Sequence, residues 1–166
     1  PVTARRHVEL ITLTAQENLT ESRRIIAALT PARLDDASLP QAIERIVDRF
    51  ADETGTTATT TLDGRVRPAT PATEVVALRI VQEALANVRR HARAAHVDVC
   101  IDFGDDGLRV SVRDDGIGFD AGSGSTGYGL VGMKARVAEV GGRLEIESRP
   151  GSGCAVRAVL PLGSTA

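Results

Sequence analysis

The sequence predicts an α+β fold, a two-layer α/β sandwich in which a mixed, mostly antiparallel sheet carries helices on one face and is preceded by a long helix. Three observations carry this expectation. Segments of helical period come first, and paired segments of period two follow, which favours antiparallel hairpins covered by helices. In the last strands Arg109, Arg113, Arg143, Glu145 and Glu147 alternate with apolar residues, so those strands have only one buried face. Apolar residues make up 42% of the 166 residues while aromatics make up 2%, so a core is affordable but must be aliphatic.

Over Ala4 to Leu29, Val8, Ile11, Leu19, Ile25, Ile26 and Leu29 fall near one narrow stripe, the pattern of a helix lying on a partner helix. Pro31 stops it, because a proline disfavours the helical conformation in the residue before it. A second helix starts at Ser38, with Gln41 completing a capping box, turns Ile43, Ile46, Val47 and Phe50 inward, and stops near Gly55. Thr57 to Leu62 is β-branched and reads as a strand, with a turn at Asp63-Gly64. Thr70-Pro71, an N-cap followed by proline at the first helical position, opens a helix that runs to about Arg93. Val97 to Phe103 alternates, and Asp105-Asp106-Gly107 turns it into Leu108 to Val112. A helix from about Leu130 to Val140 ends on Gly141-Gly142. Arg143 to Ser148 and Cys154 to Leu160 close the chain as a hairpin.

The formal net charge of -2 offers no basic excess for releasing counterions, so no nucleic acid is expected as a partner. Cys100 and Cys154 lie in apolar strands without neighbouring ligands, which predicts buried free thiols rather than a zinc site. No run of 18 apolar residues spans a membrane. Beginning at Pro1, the chain reads as a piece of a longer protein.

Three blocks carry chemistry. Glu83, Asn87 and His91 recur every four residues along one helix stripe flanked by apolar positions. This stripe is either an ordinary solvent edge or one on which Glu83 and Asn87 turn oxygen ligands towards Mg²⁺ and phosphates. Asp114-Asp115-Gly116-Ile117-Gly118-Phe119 follows a strand directly: an aspartate there can accept from an exocyclic amine, and the two glycines permit close backbone approach. Gly122, Gly124, Gly127, Gly129 and Gly132 crowd a stretch that becomes a helix, whose first N–H groups form a natural phosphate site. Neither a Walker A sequence nor a GxGxxG after a strand is present.

In this order the blocks resemble the GHKL ATPase superfamily, and specifically the catalytic domain of sensor histidine kinases. Residues 82–92 resemble its N box, residues 114–119 its G1 box, and residues 127–133 its G2 box. The Gly-Leu-x-Gly-Met form and the short lid are most similar to the NarL-partnered subfamily. The resemblance implies a Bergerat-type ATP-binding fold over 31–166, with residues 1–30 forming the second helix of a dimerisation region. It implies ATP and Mg²⁺ as cofactors, with Asn87 as metal ligand and Glu83 polarising a water or the attacking imidazole. Asp114 would read the adenine amine, Gly116 and Gly118 would line the base, and Gly127, Gly129 and Leu130 would form the lid hinge. His91 and Lys134 would reach phosphate, and Cys154 would border the pocket. The lid, about Asp120 to Thr126, is expected to order only over nucleotide. Implied partners are the helices bearing the phosphorylated histidine, a response regulator, and a second copy in a homodimer, all in the cytoplasm. Neither His7 nor His96 suits the acceptor position, so this chain by itself is not expected to autophosphorylate. The rival readings are an anti-sigma-factor serine kinase and a non-catalytic ATP-sensing module.

Overall fold

The computed structural model describes residues 38–120 and 128–163. The helix expected over Ala4–Leu29, Gly127 and most of the expected lid lie outside the described residues.

Helix α1, Leu39–Thr54, buries Leu39, Ile43, Val47 and Phe50, positions one helical turn apart on one face. It ends at Gly55, whose φ of 70° belongs to the left-handed region that glycine enters without strain. Helix α2, Pro71–Asn87, is capped by Thr70, whose side chain accepts from the Thr73 amide at 3.1 Å. The Thr73 hydroxyl in turn donates to the Pro161 carbonyl at 3.1 Å, tying the helix start to the end of the last strand. Apolar residues lie buried on most of its circumference, because α2 is the central helix and packs on α1, on α3 and on the sheet. Helix α3, Tyr128–Glu139, buries Met133 and Val137 and ends in a Schellman motif. There the Gly142 amide donates to the Val137 carbonyl and the Gly141 amide to that of Ala138, both at 2.9 Å.

Among the described residues the five strands are β1 (Thr57–Gly64), β2 (His96–Gly104), β3 (Gly107–Asp114), β4 (Arg143–Ser148) and β5 (Cys154–Leu160), in the spatial order β1-β2-β3-β5-β4. Only β1 and β2 are parallel, since the chain crosses between them through α2. Rows of aliphatic side chains run across the covered face: Val99 opposite Val112 opposite Val156, then Ile101, Val110 and Ala158, then Phe103, Leu108 and Leu160. These rows and the inner faces of the helices form one aliphatic core. On the open face Arg109 pairs with Asp102 at 3.0 Å and Asp106 at 2.7 Å, and Arg157 with Glu147 at 2.7 Å. Such exposed pairs contribute little to stability individually.

The expected α+β sandwich is therefore the observed one, with two local corrections. Asp63-Gly64 is not a turn after the first strand but its last two residues, paired with Asp102 and Phe103. A parallel partner nine residues long extends β1 past the Asp-Gly signal, and Gly64 at φ 75° sits against the Phe103 carbonyl where a Cβ would collide. The helix expected to reach Arg93 does so, but its last turn, Val88–Ala92, widens into a π turn and closes on Arg93 in the left-handed conformation, φ 50°.

Candidate functional site

The site is built where β3 ends and β5 begins, beside the turn that follows α2. Asp114 is the last residue of β3 and stands opposite Cys154, the first of β5. Its side chain turns inward and is only 7% exposed, which makes it one of two buried polar residues among those described. The carboxylate accepts from the Gly116 amide at 2.9 Å and from the Cys154 backbone N–H. Burial pushes its pKa up, and those two backbone donors partly oppose the rise. A hydrogen-bond acceptor is thus held away from water with capacity to spare for a donor from a ligand.

Asp115 faces the other way. Its carboxylate takes the amides of Ala95 and His96 at 2.8 and 2.9 Å and lies 2.8 Å from His96 Nδ1. The His96 amide and ring hold its pKa below the ordinary range. This residue fixes the start of β2 to the end of β3, a role the sequence reading did not assign. Its signal was the second acid of an Asp-Asp-Gly run, where side chains commonly cap nearby amides.

The following loop is stitched on two sides. The Ile117 amide donates to the Ala92 carbonyl at 2.8 Å, and Gly116 presses so closely on Ala92 that no Cβ could fit. On the other side the Gly151 amide donates to the Ile117 carbonyl at 2.6 Å. The Phe119 amide donates to the Ser148 hydroxyl, which itself donates to the Gly153 carbonyl, both at 2.9 Å. Gly118, at φ 59°, lies against the carbonyl oxygens of Arg149 and Gly153. The glycines are therefore required by approach to protein backbone as well as by anything a ligand would need. Ile117 and Phe119 leave large apolar surface exposed beside this loop.

Both cysteines are free as expected but only half-buried rather than buried, and at Cys154 burial together with the Asp114 carboxylate pushes the thiol up to about 11. It stays protonated at neutral pH and is a poor nucleophile there.

On α2, Glu83 and Asn87 are half-buried among the buried Ala84, Leu85, Ala86 and Val88. The Glu83 carboxylate lies against Gly129 in the first turn of α3, in the space a Cβ would occupy. Leu130 anchors that turn in the core. Met133 and Val137 continue the buried face, which leaves Lys134 exposed on the solvent side. His91, in the π turn, is also exposed. The structure thus brings Asp114, Gly116 and Cys154 together, with Gly116 against Ala92 and Gly118 against the β4–β5 connection, and sets Glu83 against Gly129 further along α2. Asn87 lies between the two groups on the same helix, one turn from Glu83.

A cavity of about 390 Å³ lies on the outer side, lined by His96, Asp98, Arg113, Asp114, Asp115, Gly151 and Ser152. Asp98 and Arg113 face solvent on the side of the sheet away from the helices, and only Asp114 is shared with the groups just described. Among the described residues no group of three or more His, Cys, Asp or Glu side chains could hold a metal ion. No helix among them is long and apolar enough to cross a membrane.

Residues 72–164 match the family described as histidine kinase-, DNA gyrase B-, and HSP90-like ATPase. The chain is 36% identical over 148 residues to the signal transduction histidine-protein kinase/phosphatase DegS of Brevibacillus brevis, covering 89% of this chain and 38% of DegS. It is 30% identical over 158 residues to the sensor histidine kinase LiaS of Bacillus subtilis, covering 95% of this chain and 43% of LiaS. The chain thus spans less than half the length of these curated relatives. Among solved structures, the blue-light activated histidine kinase of Erythrobacter litoralis EL346 has the same fold, with a TM-score of 0.70 and 23% identity over 89% of this chain and 50% of that one.

Proposed function

Because this chain belongs to the family of histidine kinase-, DNA gyrase B-, and HSP90-like ATPases, we propose that it is the ATP-binding catalytic domain of a two-component sensor histidine kinase. The observation that carries the reading is Asp114, a buried carboxylate with acceptor capacity left over at the mouth of the helix–sheet junction. It would accept from the adenine amine, with Gly116 and Gly118 beside the base, the exposed Ile117 and Phe119 as apolar surface, and Cys154 at the border.

From there the phosphates would run along α2. Asn87 would hold Mg²⁺ through its amide oxygen. One protein oxygen suits this ion, which usually keeps waters and takes phosphate oxygens rather than an all-protein cage. Bound there, the ion would neutralise phosphate charge. Glu83 would orient the attacking imidazole and take up its proton as the nitrogen–phosphorus bond forms and the bond from the γ-phosphorus to the bridging oxygen of ADP breaks. Gly127, Gly129 and Leu130 would form the lid hinge, with His91 and Lys134 reaching the phosphates from the exposed side. Such a domain works by positioning and charge neutralisation.

The acceptor histidine would sit on a dimerisation helix of the longer protein. Residues 1–30 would be the second such helix, the assembly a homodimer in the cytoplasm, and the phosphoryl group would pass on to a response-regulator aspartate. Incubating the longer parent protein with γ-labelled ATP and Mg²⁺ tests this. Acid-labile, base-stable label that Asn87→Ala or Glu83→Gln reduces by about a hundredfold or more is expected. ATP binding without any label on the protein would instead favour a non-catalytic ATP-sensing module.

A further inference from the structure

Arg79 of α2 and Arg136 of α3 stand on two helices that pack together, near enough for their charges to oppose one another. Gly129 in the first turn of α3 rests on the Glu83 side chain of α2, one point at which the two helices touch. Arg136 lies two turns further along α3 on the same face, and Arg79 lies one turn back along α2 from Glu83. Both arginines are half-buried. The Nε of Arg136 is enclosed and has no hydrogen-bond partner, and Gly132 packs beneath its guanidinium. Neither arginine takes part in any of the ion pairs among the described residues. Burial and the neighbouring Arg136 charge both push Arg79 below its ordinary value, with no acid acting to raise it.

Two guanidinium groups in partial burial repel, and an enclosed donor without an acceptor is unfavourable. Both penalties vanish when an oxyanion lies between them, because each planar fork can donate two parallel hydrogen bonds to it. The direction of α2 says which oxyanion. Its C-terminal turn is at Asp114 and Gly116, Asn87 and Glu83 follow towards its N-terminus, and Arg79 comes next, about 6 Å beyond Glu83 at 1.5 Å per residue.

The geometry points to a phosphoryl-binding clamp made by Arg79 and Arg136, which receives the terminal phosphoryl group of a nucleotide whose base lies at Asp114. The inference rests on the nucleotide reading above and extends it to two residues that no motif contains.

Calorimetry on the whole chain with Mg·ADP and with Mg²⁺ and a non-hydrolysable ATP analogue separates the two ideas. The wild type should prefer the triphosphate. Arg79→Gln and Arg136→Gln should each weaken the triphosphate by roughly tenfold or more while changing ADP affinity by less than about twofold. Retained ADP binding reports an intact fold, and both variants should melt at or above the wild-type temperature because a repulsion is relieved. Equal loss of both nucleotides, or no change in either, overturns the clamp while leaving the nucleotide site standing. Failure of the wild type to bind either nucleotide overturns both readings. Inorganic phosphate titrated into the ADP-loaded protein distinguishes the sources of the group. Binding that Arg79→Gln abolishes extends the clamp to the released ion, no binding confines it to the attached group, and binding indifferent to both substitutions overturns it.

Discussion

Asp114 and Asp115 are adjacent acids that the fold drives in opposite electrostatic directions. Asp114 is raised chiefly by burial, so the folded protein holds its proton more tightly than the unfolded chain. The stability it contributes is fully present below the ordinary value of 3.8 and is lost as pH rises through its raised value. Asp115 is lowered chiefly by the His96 backbone amide, then by the His96 ring. Its contribution is present above 3.8 and is lost as pH falls through its depressed value. In the proposed adenine contact the inward acid is the one that would act, since a protonated Asp114 no longer offers a full carboxylate to an amine donor. ATP affinity should therefore begin to fall on acidification at a pH above 3.8, while the fold, secured partly by Asp115, persists. Calorimetry at a series of pH values checks this, with circular dichroism on the same samples. Affinity that stays level until the protein unfolds would contradict it. Asp114 was legible as a candidate from its place after a strand and before Gly-x-Gly. Its neighbour's structural task was not, because Ala95 and His96 lie 20 and 19 residues away in sequence, and only the folded β2–β3 pairing brings them within reach.

At the scale of elements, the site depends on one loop held between α2 and the β4–β5 connection. Gly118 combines a left-handed φ of 59° with carbonyl oxygens of Arg149 and Gly153 where a Cβ would go. Gly118→Ala should destabilise the fold by about 2 kcal/mol or more, through backbone strain and displacement of that connection. Urea unfolding measures it, and a change below about 0.5 kcal/mol would show that the loop is less tightly held than its contacts imply. Elements with strong local signals were read correctly: the Thr70-Pro71 start, the Gly141-Gly142 stop and the alternation of Val97 to Phe103 each follow from short-range chemistry. Those that tertiary pairing decides were not. The extension of β1 through Gly64 depends on a parallel partner more than thirty residues on, and the π turn at Val88–Ala92 serves the contact between Ala92 and Gly116. No periodicity in the sequence encodes either.

Across the whole molecule, one aliphatic core lies between three helices and a five-stranded sheet among the described residues, and the candidate site occupies its rim. The sandwich was legible because each strand declares a single buried face, as in Leu108, Val110 and Val112 against Arg109 and Arg113. The β1-β2-β3-β5-β4 order was not, since nothing local in Cys154 to Leu160 states that it pairs with both β3 and β4. This order nonetheless makes the site, because inserting β5 beside β3 sets Cys154 opposite Asp114 and brings the β4–β5 connection onto the Gly116–Gly118 loop. The nearness of Arg136 to Arg79 was hidden for the same reason: the two residues are 57 positions apart and share no motif. The most direct test of the central claim is calorimetric titration of the chain with Mg·ATP beside Asp114→Asn. Wild-type binding in roughly the micromolar to submillimolar range is expected, with a loss of about tenfold to a hundredfold when the carboxylate becomes an amide. Wild-type affinity retained by a folded Asp114→Asn would contradict it, because the buried carboxylate would then not be what recognises the base.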